Sequence, residues 1–157
     1  MADAKILEGK KVLIVDDEPD VLEALEDALD MCDIDTSPEY ETAKALLESK
    51  SYDIAVLDIM GVNGYELLAI ANSKGIPAVM LTAHALSTDN FAKSMDGGAC
   101  AYLPKDRLFE INVFLADVLE YGFKNRGLLG KWFDRLKGYY ENKFGPGWLE
   151  EYKDGWQ

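Results

Sequence analysis

Val12-Leu13-Ile14-Val15-Asp16-Asp17-Glu18-Pro19 is a short, largely β-branched apolar run that stops at three consecutive acids and a proline. Four apolar residues with no polar alternation describe a strand covered on both faces, as in a parallel sheet sandwiched between helices. Pro19 suits the first turn of a helix. Val21, Leu22, Leu25, Ala28 and Leu29 follow at steps of three and four, which predicts an amphipathic helix over 19–31. Residues 12–31 therefore form one strand–helix unit joined by an acidic connection.

The same grammar recurs along the chain. Ile34 to Ser37 reads as a weak strand and Glu41 to Glu48 as a helix; Ile54-Ala55-Val56-Leu57 is a second buried strand, ending in Asp58. Gly61 and Gly64 punctuate the loop before a helix over 65–73, followed by a strand over 77–81 that ends in Thr82. A helix near 88–95, a strand over 101–103 ending before Lys105, and a last helix over 107–121 complete the series. Strands alternating with helices, each strand apolar throughout, define an α/β fold. Its five-stranded parallel sheet is doubly wound, with right-handed crossovers, in the flavodoxin-like arrangement. Residues 1–10 precede this pattern as an N-terminal leader, 11–121 form the domain, and 122–157 are an appendage.

Composition bounds the function. The net charge of -13 leaves no basic face for a phosphate backbone, so nucleic-acid binding is not expected. No apolar run approaches the roughly 20 residues of a membrane span, and the first eleven residues lack a signal peptide's apolar stretch. A cytoplasmic location is expected. Cys32 and Cys100 are far apart and have no neighbours at metal-ligand spacing, which fits two reduced thiols.

In open α/β sheets, ligands bind outside the carboxyl ends of the strands. Asp16, Asp17, Asp58, Thr82 and Lys105 all stand at such ends, so they should meet on one rim. Three carboxylates gathered there repel one another unless a cation joins them. An all-oxygen donor set suits a hard cation, with Mg2+ the natural choice. A carboxylate beside such a cation can attack phosphorus to give an acyl phosphate. The Thr82 hydroxyl and the Lys105 ammonium can then take phosphoryl oxygens.

VLIVDDEP at 12–19, IAVLDIM at 54–60, PAVMLTA at 77–83 and GACAYLPK at 98–105 together resemble the response-regulator receiver family, over roughly residues 11–121. The resemblance implies that Asp58 is the phosphoacceptor. It implies that Asp16 and Asp17 hold Mg2+ together with Asp58, Asp17 being the direct ligand of the pair, and that the Met60 backbone carbonyl completes the set. Thr82 matches the switch hydroxyl, Lys105 the phosphate-contacting lysine, and Tyr102 the aromatic rotamer switch. Ala83 matches the small residue beside the incoming phosphodonor. The resemblance further implies a histidine kinase or phosphotransfer protein as donor, a downstream protein target, and a stoichiometric phosphoryl acceptor rather than an enzyme. His84, the sole histidine, stands two residues after Thr82, where it can overhang the site or simply lie on a surface loop.

Two departures stand out. The loop Met60-Gly61-Val62-Asn63-Gly64 is about two residues shorter than the family's usual form and lacks its proline, which bears on how the third helix begins. Lys105 is followed by Asp106 where the family has proline, and a cis bond without proline costs about 2.5–4 kcal/mol. A haloacid-dehalogenase phosphatase also uses an Asp nucleophile with Mg2+, but it needs a second Asp where this chain has Met60.

The segment 122–157 changes character. It holds all three tryptophans (Trp132, Trp148, Trp156) with Phe123, Phe133, Tyr139, Tyr140, Phe144 and Tyr152. Basic residues outnumber acids 7 to 5 over 121–157, against 9 to 24 over 1–120. Helical spacing of Leu128, Leu129, Trp132, Phe133, Leu136, Tyr139 and Tyr140 predicts an amphipathic helix over 128–142. About 36 residues are too few for a DNA-binding output domain. The last helix of the domain carries apolar residues on all sides, so something covers its outer face. The expected covers are the folded-back extension, a second subunit in a homodimer, or a partner protein; membrane-surface docking is the minor option. A scaffold that never takes phosphate and acts through this aromatic extension is the competing expectation.

Overall fold

The computed structural model describes residues 4–82, 93–94, 97–99 and 101–121. Its strands are β1 (Lys11–Val15), β2 (Asp33–Ser37), β3 (Ile54–Asp58), β4 (Ala78–Thr82) and β5 (Ala101–Pro104). Its α-helices are α1 (Pro19–Ala28), α2 (Tyr40–Ser49), α3 (Gly64–Ser73) and α4 (Ile111–Tyr121). The five strands form one sheet in the order β2-β1-β3-β4-β5, and every pairing is parallel. The expected doubly wound α/β fold is the observed one.

Burial explains the strand pattern. Every residue of β3 and β4 is buried, and β1 is buried after its first residue, because helices cover both faces of these central strands. β2 is the sheet edge and its sequence Asp-Ile-Asp-Thr-Ser is polar, which is how an edge avoids pairing with another chain. α1 packs beside α4, while α2 packs beside α3. The inward stripes are Val21 and Leu25 on α1, Ala43 and Leu47 on α2, and Leu67, Leu68 and Ala71 on α3.

Three local features differ from the sequence expectation. Ala4–Leu7 forms a 3-10 turn against α4, and Leu7 is buried in the core, although nothing in so short a polar leader marks it as an anchor. The Gly9 N–H donates to the Met31 carbonyl at 2.9 Å, and the Cys32 thiol to the Leu7 carbonyl at 3.4 Å. α1 ends at Ala28 rather than 31: the Leu29 N–H still donates to the Leu25 carbonyl, and the Leu29 carbonyl is then taken by the Cys32 N–H in a tighter turn. The last helix begins as a 3-10 turn over Lys105–Glu110 and becomes α-helical only at Ile111, a common way for an α-helix to start.

On α4, Ile111, Phe114, Leu115 and Val118 are buried at the spacing of one inward face, and Ala116, on the opposite side, is buried too. Lys93 and Ser94 are helical, and the Lys93 ammonium lies 4.4 Å from the centre of the Tyr65 ring on α3. The rest of the helix expected near 88–95, and the helix expected over 128–142, lie outside the described residues. No described helix is long and apolar enough to cross a membrane.

Candidate functional site

Strand register assembles the site. Val15 pairs with Leu57, so Asp16 and Asp58, each one residue further on, stand side by side where β1 and β3 end. Asp58 pairs with Leu81, and Thr82 with Pro104, so Thr82 and Lys105 follow in order across the same rim. The connections from β1 and β3 leave toward opposite edges of the sheet, which opens the crevice where doubly wound folds hold ligands.

Asp16, Asp58 and Thr82 are buried, with Asp16 0 % exposed. The Lys105 ammonium lies 2.7 Å from Asp16 Oδ2, 3.0 Å from Glu18 Oε1 and 3.3 Å from Asp58 Oδ1. The Glu18 N–H donates to Asp16 Oδ1 at 2.9 Å. The Lys105 ammonium, at 2.7 Å, is the partner that compensates Asp16 Oδ2 in this buried position.

The charges respond as crowding requires. Burial, reinforced by the Asp16 charge and opposed by Lys105, pushes the Asp58 carboxyl up to about 7. Asp16 is also raised, burial outweighing its contacts with Lys105 and with the Glu18 N–H. Burial disfavours the Lys105 ammonium, but Asp16, Glu18 and Asp58 more than compensate and hold it above the ordinary lysine range. One ammonium thus serves three carboxylates, and the rim still has a surplus of negative charge.

Carboxylate oxygens of Asp16, Asp17 and Glu18 lie within 4.8 Å of one another, close enough to share an ion. This all-oxygen set, on a rim that gathers more carboxylates than one ammonium can neutralise, fits a hard divalent cation such as Mg2+. Asp58 adjoins this group, sharing Lys105 with Asp16.

The short loop after Asp58 is held by left-handed backbone. Gly61 has φ 85 and Asn63, which caps α3, has φ 53. Val62 turns inward and is buried, while Met60 is 67 % exposed at the mouth of the site. A Cβ on Gly61 would collide with the Asp17 carboxylate, and one on Gly64 with the Asp58 backbone carbonyl. α3 therefore begins directly against the end of β3, with no proline needed to set its entry. No described peptide bond is cis, the Lys105–Asp106 bond included.

Tyr102, which matches the aromatic rotamer switch, is 0 % exposed in this structure. Ala83 and His84 lie outside the described residues. Glu18 is the site residue with no distinguishing mark in the sequence. Its place after Asp17 is accounted for by an acidic helix start, and only the fold brings it to Lys105.

A model of the response regulator receiver domain matches residues 12–112, and the chain belongs to that family. Among curated relatives, the transcriptional regulatory protein TcrA of Mycobacterium tuberculosis is 37% identical over 111 residues, covering 64% of this chain and 44% of TcrA. The two-component response regulator ARR18 of Arabidopsis thaliana is 35% identical over 103 residues, covering 62% of this chain and 16% of ARR18. The chain thus spans less than half the length of these relatives. A CheY-like receiver domain protein from Methanospirillum hungatei superimposes with a TM-score of 0.61 at 25% identity, covering 72% of this chain and 98% of that one.

Proposed function

We propose that this receiver domain is a phosphorylation switch that accepts a phosphoryl group on Asp58. The observation that carries the reading is the meeting of Lys105 with Asp16 at 2.7 Å and with Asp58 at 3.3 Å on one buried rim. An Asp58 carboxylate oxygen attacks phosphorus; the new O–P bond forms as the bond from phosphorus to the donor breaks, its electron pair leaving with the donor. Attack needs the ionised carboxylate, and the neighbouring Lys105 favours that form. Lys105 and the Thr82 hydroxyl then hold phosphoryl oxygens, positioning and charge stabilisation being most of what such a transfer requires. Asp16 and Asp17, with Asp58 and the Met60 carbonyl, would hold Mg2+, which would supply charge neutralisation for an incoming phosphoryl group.

The donor is a histidine kinase or a phosphotransfer protein, and the domain acts as a stoichiometric acceptor in the cytoplasm rather than as a turnover enzyme. Output runs through protein contacts on the face around α4 and through the aromatic segment 122–157, with a downstream protein or a second copy as partner. Incubation with acetyl phosphate and Mg2+ followed by intact-protein mass spectrometry is expected to add one phosphoryl group to the wild type and none to Asp58→Asn. An unmodified wild type that also fails to bind beryllofluoride would transfer the function to the aromatic extension acting as a scaffold.

A further inference from the structure

Lys105 touches one carboxylate more than the proposed phosphoryl chemistry uses. Its ammonium lies 2.7 Å from Asp16 Oδ2 and 3.0 Å from Glu18 Oε1, both closer than the 3.3 Å to Asp58 Oδ1. The Glu18 backbone is fixed by its N–H bond to Asp16 Oδ1, whereas its side chain is 53% exposed. The Lys105 side chain, only 9% exposed, has little water to turn to, so its ammonium is divided among the three acids. Weakening one contact shifts it toward the others.

We propose that Glu18 is a positioning residue that draws the Lys105 ammonium away from Asp58 and releases it when a phosphoryl group is in place. The proposal rests on Asp58 being the phosphoacceptor. An exposed carboxylate suits such a latch, because water screens its hold on the ammonium. A phosphoryl group on buried Asp58 replaces the carboxylate's single charge with about -1.5 to -2 charges within reach of the same ammonium, and the competition turns against Glu18. Glu18 therefore lowers the site's affinity for phosphoryl-like groups without touching them.

The test compares wild type, Glu18→Gln and Glu18→Asp in the full chain, each at Mg2+ shown by titration to saturate that variant, because Glu18 also borders the candidate cation site. Readouts are beryllofluoride affinity by fluorine NMR, phosphorylation by acetyl phosphate, and the nitrogen chemical shift of the Lys105 ammonium without metal. Glu18→Asp keeps the charge but withdraws the carboxylate by one methylene. The expected result is a gain in beryllofluoride affinity of about two- to fivefold, the range of an exposed ion pair, in both variants, with the ammonium shift moving in both. A gain confined to Glu18→Gln would mean simple charge repulsion and overturns the latch, as does no change in either variant. A wild type that takes neither phosphoryl nor beryllofluoride removes the phosphoacceptor reading itself, which separates that failure from failure of the latch.

Discussion

Gly61 serves the acidic rim through the atom it lacks. Its φ of 85 lies where an L side chain is strained, and a Cβ there would push into the Asp17 carboxylate. The same residue therefore shapes the short loop and leaves room for a cation ligand. Gly61→Ala is expected to lower unfolding stability by about 1–2 kcal/mol and to weaken Mg2+ binding as well. Urea denaturation with and without Mg2+ checks this, and an Ala variant of wild-type stability and Mg2+ affinity would contradict it. Asp16, Asp17 and Asp58 are recognisable in the sequence because each ends an apolar run. Glu18 is not, because its partner Lys105 is 87 residues away.

At the scale of elements, the polar edge strand β2 is tied to the end of α2 by a small cluster on the opposite rim. The Tyr52 hydroxyl donates to Asp35 Oδ2 at 2.7 Å and the Lys50 ammonium reaches the same oxygen at 3.0 Å. The Tyr52 bond, then Lys50, hold the Asp35 carboxyl below the usual range. Its contribution to stability is therefore present above the ordinary Asp value of about 3.9 and is lost as pH falls through the lowered folded value. Burial and the Asp35 bond push the Tyr52 phenol up. That contribution is complete below the ordinary Tyr value of about 10 and is lost as pH rises toward the raised one. Tyr52→Phe is expected to cost about 0.5–1.5 kcal/mol at neutral pH. Its deficit against wild type should shrink at both pH extremes, as followed by urea midpoints across pH; a deficit independent of pH would refute the hydrogen-bond account. The sequence reads 34–37 as a weak strand and 41–48 as a helix, but the pairing of Tyr52 with Asp35 needs the sheet and helix placed together.

For the whole molecule, the decisive quantity is the excess of negative charge at one rim of a chain that already carries -13 overall. A ligand that binds only the folded state stabilises it by RT ln(1 + [L]/Kd), about 2.7 kcal/mol at a hundredfold excess over Kd. Mg2+ is expected to raise the thermal midpoint beyond the effect of KCl at equal ionic strength, and Asp17→Asn to remove most of that difference. Equal responses to Mg2+ and KCl would leave only general screening. The described domain carries this excess, while the mildly basic, aromatic segment 122–157 contrasts with it in both charge and composition.

The sequence by itself determined the α/β class, the parallel five-stranded sheet and the strand-end positions of Asp16, Asp17, Asp58, Thr82 and Lys105. It could do so because burial on both faces leaves apolar runs, and polar residues that end those runs stand out. Tertiary structure alone decided that Leu7 closes the core, that Gly61 makes room for Asp17, that Tyr102 is enclosed, and that Glu18 shares Lys105 with the buried acids. The physical reason is range: periodicity is a local property of the chain, whereas these contacts join residues far apart in sequence and depend on strand register and loop conformation.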